Sequence, residues 1–192
     1  MESAAELPAP GAERRVFWTA ALVIVVLDLI TKLIAEATLL RTPGVSVLGD
    51  WFQLRLVYNP GAAFGLNLGP QSRWIFATLT IVALVILARL YRSTQPGDSA
   101  RVAALGFVCA GAIGNLIDRV RSFFGVVDFI DVGIGDARWP TFNVADMAVS
   151  VGAALLAWVL WQEDRSAQAA APSVAPAVVP ASASGGEPGD LV

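Results

Sequence analysis

The apolar residues of this chain fall into four long runs, Val16–Ile34, Trp74–Tyr91, Val102–Ile117 and Phe142–Trp161, separated by stretches where polar residues, Gly and Pro return. A helix needs about 20 such residues to cross about 30 Å of hydrocarbon, so the pattern predicts four transmembrane helices. The third run is short and reaches spanning length by taking in Asp118–Val120. The expected spans are therefore about 16–34, 74–91, 102–120 and 142–161. Trp18, Trp74, Trp158 and Trp161 stand near segment ends, where interfacial aromatic rings belong.

The connections differ in character. Residues 35–73 carry Gly, Pro and a β-favouring stretch, Phe52–Tyr58, and predict a small sheet lying on the membrane surface. Residues 92–101 form a short polar link, and residues 121–141, with Gly125, Gly133, Gly135 and Pro140, read as a loop. The fold class is an all-α membrane protein, four transmembrane helices with a small β-rich extracytoplasmic loop domain between helices 1 and 2. Residues 1–13 read as a disordered N-terminus, 14–165 as the membrane domain and 166–192 as a disordered Ala/Pro/Ser-rich tail. Arg14 and Arg15 imitate the basic start of a signal peptide. No small-residue cleavage site follows a short apolar core, however, and Asp28 and Lys32 interrupt the run. An even number of crossings puts both termini on one side. Arg89, Arg92 and Arg101, with Arg14 and Arg15, favour the cytoplasm for that side.

Composition narrows the chemistry. Of the 192 residues 56% are hydrophobic and 15% charged, against about a quarter charged in soluble domains. The net charge of −3 and the lack of a basic patch set nucleic acid aside as a partner. There is no histidine and one cysteine, Cys109, which lies mid-span as a small apolar filler. Ser-His-Asp and Cys-His catalysis, imidazole-built zinc sites and an internal disulfide are excluded, so no metal or cofactor is expected. Any chemistry rests on carboxylates, amides, hydroxyls, Lys or Arg.

Helix parity gathers the polar residues. Asp28 and Lys32 lie near the end of the first helix, Asn115 and Asp118 near the end of the third, and Asn143 and Asp146 near the start of the fourth. All fall in the leaflet opposite the termini. Charge inside a bilayer costs about 2.5–3.5 kcal/mol per residue even on insertion scales, so such groups face protein or water and usually have a function. Asp28 and Lys32, spaced i, i+4, suit an ion pair on one face, with Lys32 snorkelling to fix helix depth. Gly111, Asn115 and Asp118 share one stripe, and Asn143, Asp146, Ser150, Ala153 and Ala157 another; both are expected to pack inward.

Three aspartates compete for an acid–base pair. Asp118 precedes Arg119, with Arg121 nearby, and reads as a salt-bridged structural acid. Asp128, within Val126–Ile130, and Asp146, inside the fourth run, have apolar neighbours that would let two carboxylates share a proton. The residues alone favour Asp128 with Asp146 over Asp118 with Asp146. Asp131 and Asp136 read as solvated loop charges. Asn59–Gly65 reads as a turn with an Asn cap, or as a loop whose bare backbone approaches an extended peptide.

Five blocks in order, Asp28-Leu29-Ile30-Thr31-Lys32, Asn59-Pro60-Gly61-Ala62-Ala63-Phe64, Gly111 to Arg119, Val126-Val127-Asp128-Phe129-Ile130 and Phe142-Asn143-Val144-Ala145-Asp146, resemble the lipoprotein signal peptidases (signal peptidase II). Leu29 and Ala110 depart from the family's pattern. The resemblance implies a bacterial cell-membrane aspartic endopeptidase that removes the signal peptide of lipid-modified prolipoproteins, cutting just before the diacylglyceryl-cysteine. It implies Asp128 and Asp146 as the catalytic pair. Asn59, Gly61, Asn115, Asp118, Arg119, Asn143, Ala145, Asp28 and Lys32 would bind substrate or support the site. Partners would be prolipoprotein and membrane lipid, and a monomer suffices. The rival class is a small transporter or proton channel using intramembrane carboxylates; a scaffold subunit would need no buried acids.

Overall fold

The computed structural model describes residues 11–61, 66 and 68–170. Residues 1–10, 171–192, 62–65 and 67 lie outside it, and with them most of the expected disordered ends and part of the Asn59–Gly65 block.

Four helices, α1 (Ala12–Leu39), α2 (Ser72–Arg92), α3 (Ser99–Arg121) and α4 (Val144–Ala170), are each long and apolar enough to cross a membrane. They outrun the hydrophobic runs because polar residues continue the helix beyond the hydrocarbon. The clearest case is α4, which keeps residues 166–170 that composition assigned to a tail. Ala, Gln and Ser sustain a helix well enough once packing has nucleated it.

α3 is the central helix and packs against the other three. Its buried face includes Ala104, Gly106, Ala110, Gly111 and Gly114, small residues that let neighbouring backbones come close. Gly114 shows the need directly, since a Cβ there would meet Oδ2 of Asp28 at 2.5 Å. α2 is peripheral, burying only Ser72 and Ala77. Its N-terminus is tied to the end of α3 by Arg73, which donates to the Ser122 carbonyl at 2.5 Å. The apolar outer faces, such as Leu22, Val26, Val82 and Val85, are exposed and suit lipid contact.

The inward stripe of α4 is not the one expected. Ala145, Ala148, Gly152 and Val159 pack inward, whereas Ser150, Ala153 and Ala157 are exposed. α4 carries two small-residue stripes, and Gly152 selects between them: its missing side chain admits Val108 and the Ala104 carbonyl of α3.

At one end of the bundle lies a four-stranded antiparallel sheet, ordered β1 (Val45–Leu48), β2 (Phe52–Asn59), β3 (Val126–Ile134) and β4 (Ala137–Arg138). The α1–α2 connection supplies only half of it. The α3–α4 connection, expected as a loop, contributes β3 and β4, because the β-branched run around Asp128 outweighs its interspersed Asp and Gly. Leu54, Leu56 and Phe129 pack against Ala35 and Leu39 of α1 and seat the sheet on the bundle. The other end is closed by polar contacts among α1, the α2–α3 link and α4. Gly97 N–H donates to Glu13 at 2.5 Å, Asp98 caps α3 at Arg101 N–H, and Arg101 pairs with Glu163.

Candidate active site

The site forms where β3 passes the ends of α3 and α4. Gly125, with φ 103°, turns the chain from α3 into β3 so tightly that a Cβ would collide with Asn59 and Pro60. β3 then pairs with β2, setting Val57 opposite Asp128 and Asn59 opposite Val126. The segment entering α4 is stitched to the same strand: the Phe142 carbonyl accepts from Phe129 and Ile130, and Phe142 N–H donates back to Ile130. Backbone pairing thus brings Asp128 of β3 beside Asn143 and Asp146 at the start of α4.

Asp128 is 2% exposed. One of its oxygens accepts from the Asn143 amide at 2.7 Å, the other from the Asn59 amide at 3.2 Å. Burial, followed by the nearby Asp146 charge, pushes its carboxyl up to about 7. Asp146 accepts from the Asn115 amide at 2.8 Å and from Asn143 N–H at 3.2 Å. Asn115 is itself oriented, its Oδ1 accepting from Lys32 at 2.9 Å and from Asn143 at 3.1 Å. The two carboxylates are therefore held in a web of three asparagines, each presenting N–H groups to an acid.

Arg119 spans the far wall, donating to the Gly61 carbonyl at 3.0 Å and to the Asn115 carbonyl at 3.2 Å. Its Nε has no partner among the described residues. Asn59 accepts from Gly61 N–H at 3.0 Å, the Asx turn its sequence suggests.

Behind this wall lies a buried charge cluster. Lys32 is fully buried and sits 2.8 Å from Asp28 and 2.9 Å from Asp118. It does not snorkel; a cation held between two acids and an amide has no reason to reach for the interface. Asp28 also accepts from Ala145 N–H at 2.9 Å and so caps α4 from α1. Asp118 takes Lys32 and Arg121 as counter-charges, the latter at 2.8 Å, and accepts from Val127 N–H at 3.1 Å. The expected partner, Arg119, has turned to the cavity instead. Adjacent residues on a helix point about 100° apart, whereas Arg121 lies three residues on and shares the face of Asp118. Asp118 thus lies in the charge cluster and Asp128 and Asp146 in the asparagine web, while Asp136 is exposed.

Asp131 departs from the expected solvated loop charge. It is 1% exposed and is held by Arg138 at 2.8 Å and Arg55 at 3.5 Å. It lies on β3 and Arg138 on β4, two strands formed by a stretch whose Gly and Pro predict a loop. Arg55 and Trp139 are cavity residues that sequence reasoning missed. Arg55 stands in the alternating stretch Phe52–Tyr58, the one signal that could have pointed to it.

The cavity in front of the acids measures about 830 Å³. Asn59, Gly61, Asn115, Arg119, Asp128 and Asp146 line its polar side, and Met147, Val149 and Val151 of α4 its apolar side. Met147 and Val151 are also exposed on the outside of the bundle, so this wall is continuous with the lipid-facing surface. In the opposite half of the bundle Phe17, Val102, Leu105 and Cys109 form an apolar cluster, with Leu84, Leu87, Tyr91 and Leu156 packed against it.

Fold and cavity together define a multi-pass membrane protein with a polar cavity at one end of its helices. Two solved structures, each described as a bacterial membrane enzyme, superpose with TM-scores of 0.70 and 0.67 at 30% and 29% identity. They cover 77% and 82% of this chain and 88% and 97% of their own. The lipoprotein signal peptidases of Halothermothrix orenii and Syntrophotalea carbinolica are 38% and 40% identical over 144 and 153 residues. Those matches take in 75% and 79% of this chain and 94% of each relative. A family model described as signal peptidase (SPase) II matches residues 20–162, and the chain belongs to that family of peptidases.

Proposed function

We propose that the protein is a lipoprotein signal peptidase that hydrolyses the peptide bond just before the diacylglyceryl-cysteine of a prolipoprotein, with Asp128 and Asp146 as its acid–base pair. The observation that carries this reading is the asparagine web, which holds these two carboxylates, and no other acids, on the cavity. Asp128, raised to about 7, brings a proton to the reaction at neutral pH. Asp146 takes a proton from the attacking water while Asp128 gives its own to the scissile carbonyl oxygen. When the tetrahedral intermediate collapses, Asp146 hands its proton to the departing amine and Asp128 recovers the one on the former carbonyl oxygen. No covalent enzyme intermediate forms.

The supporting residues have distinct tasks. Asn59, Asn115 and Asn143 aim the carboxylates, and Arg119 and Gly61 offer donors and bare backbone to the peptide. Ala145 presents the N–H that Asp28 caps, and Lys32 and Asp118 hold the wall behind. A lipidated peptide lies in the bilayer already, and the apolar α4 wall offers it lateral entry. Arg14, Arg15, Arg89 and Arg92 sit at the bundle end opposite the site, which supports cytoplasmic termini and a site toward the outer leaflet. One chain supplies both acids, so a monomer suffices. A channel is disfavoured by the apolar cluster in the opposite half of the bundle, which has no carboxylate, Lys or Arg among its described residues.

The test is cleavage of a synthetic diacylglyceryl-cysteine peptide by the full chain in detergent. Asp128→Asn and Asp146→Asn should each lower turnover by about 10²–10⁴-fold, the usual range for acid–base groups, while inserting normally. Turnover within a few-fold of wild type by either variant removes that residue from the pair.

A further inference from the structure

β2 carries a β-bulge between Leu54 and Val57, where the register advances three residues on β2 against two on β3. Arg55 and Leu56 therefore share one partner position, Phe129. Such a bulge re-aims side chains at the edge of a site. Leu56 packs with Phe129 toward α1, whereas Arg55 lines the cavity. Its side chain is 48% exposed. Its Nε lies 3.5 Å from the buried Asp131 carboxylate, which is independently bound by Arg138 at 2.8 Å. Asp131 thus steadies the base of the Arg55 side chain without depending on it. No hydrogen bond engages the rest of the Arg55 guanidinium among the described residues, and that fork suits a carboxylate or phosphate.

We infer that Arg55 forms an anion subsite of the cavity, one that binds an acidic side chain in the first residues following the lipidated cysteine. The inference rests on the proposed peptidase reading. Its direction comes from topology: β2 runs from Phe52, paired with Val132, to Asn59 beside the Gly125 turn that follows α3, so Arg55 lies further along the sheet from that turn than Asp128 does. The signal segment of a substrate occupies the membrane, so the chain beyond the cut leaves along the sheet and passes Arg55. The same chemistry would accept a phospholipid phosphate, a source the experiment separates.

The experiment uses the full chain in non-ionic detergent with two diacylglyceryl-cysteine peptides that differ only in Asp-Glu or Asn-Gln after the cysteine. KM and kcat are measured, and equilibrium binding is followed by fluorescence polarisation of labelled peptide with the Asp146→Asn variant. Wild type should show a several-fold lower KM and tighter binding for the acidic peptide. In Arg55→Gln both ratios should fall to near one, and Arg55→Lys should restore part of them. A ratio that Arg55→Gln leaves intact overturns the inference, as does an equal loss for both peptides. An acidic preference that survives phosphatidylcholine but vanishes when phosphatidylglycerol is added supports the anion site and assigns it to an anionic lipid headgroup. Absence of any cleavage by wild type would count against the peptidase reading alone, because binding still reports on Arg55.

Discussion

Asn143 and Asp146 close the start of α4 reciprocally, Oδ1 of Asn143 accepting from Asp146 N–H at 2.9 Å and Oδ2 of Asp146 accepting from Asn143 N–H at 3.2 Å. This is a capping box, with the acid at its third helical position doubling as a member of the proposed pair. The same Asn143 amide donates to Asp128. One residue thus ends a loop, starts a helix and spaces two carboxylates.

Asn143→Ala should therefore lose function out of proportion to stability. Loss of the cap costs about 1 kcal/mol, a small shift in thermal unfolding. Asp128 loses its 2.7 Å donor, and Asn115, which aims Asp146, loses the Asn143 amide at its Oδ1, so kcat on a lipidated peptide should fall by about 10²-fold or more. Parallel thermal melts and single-turnover kinetics check this. A large fall in melting temperature with kcat per folded molecule preserved would show that the cap, and not the aim, is what Asn143 provides.

The cluster behind the wall should respond in the opposite way. Lys32→Met strands Asp28 and Asp118 as buried acids with only Arg121 and two N–H groups in compensation, and breaking such a pair costs about 3–5 kcal/mol. Asp118→Asn keeps a polar group for Val127 N–H and should cost less. Both variants should unfold more readily in detergent, and Asp118→Asn should retain turnover at low temperature. An Asp118→Asn protein that melts like wild type but cleaves nothing, while Asp128→Asn still cleaves, would transfer the catalytic role to Asp118.

Asp128 also sets a pH dependence. Its folded-state value of about 7 lies above the unfolded value of about 3.9. The folded state then binds the extra proton between these values. The stability linked to Asp128 is fully present below about pH 4 and is lost as pH rises through about 7. If its protonated form is the acid in hydrolysis, kcat/KM should fall about tenfold per unit above pH 7. Rate profiles from pH 5 to 9 test this, and activity flat to pH 9 would contradict the assignment of the acid.

The membrane architecture was legible because hydrocarbon thickness imposes a length that periodicity cannot disguise. The gathering of polar residues at one end followed from parity alone. Side-chain partners were not legible. Asp118 neighbours Arg119 in sequence but pairs with Lys32, 86 positions earlier, and with Arg121, a choice made by helix phase and interhelical distance. Asp131 read as solvated because Gly133 and Gly135 resembled loop punctuation, although β3 runs through Gly133 and buries the acid against Arg138. Two small-residue stripes on α4 looked alike in sequence, and only the contact at Gly152 separates them. Apolar neighbours in sequence did foretell the burial of Asp128, whereas the burial of Asp118 rests on counter-charges that only the fold brings to it.

The bond from Asp28 to Ala145 joins the first membrane crossing to the last, 117 positions apart. During synthesis the first helix enters the bilayer long before the fourth is made. Until then Asp28 has no α4 terminus to cap, Asp128 has no Asn143, and Asp146 does not exist. If Asp128 and Asp146 are the catalytic pair, as proposed, a nascent or truncated chain in the membrane is inert toward its neighbours, and proteolytic competence arrives only with completion of the bundle.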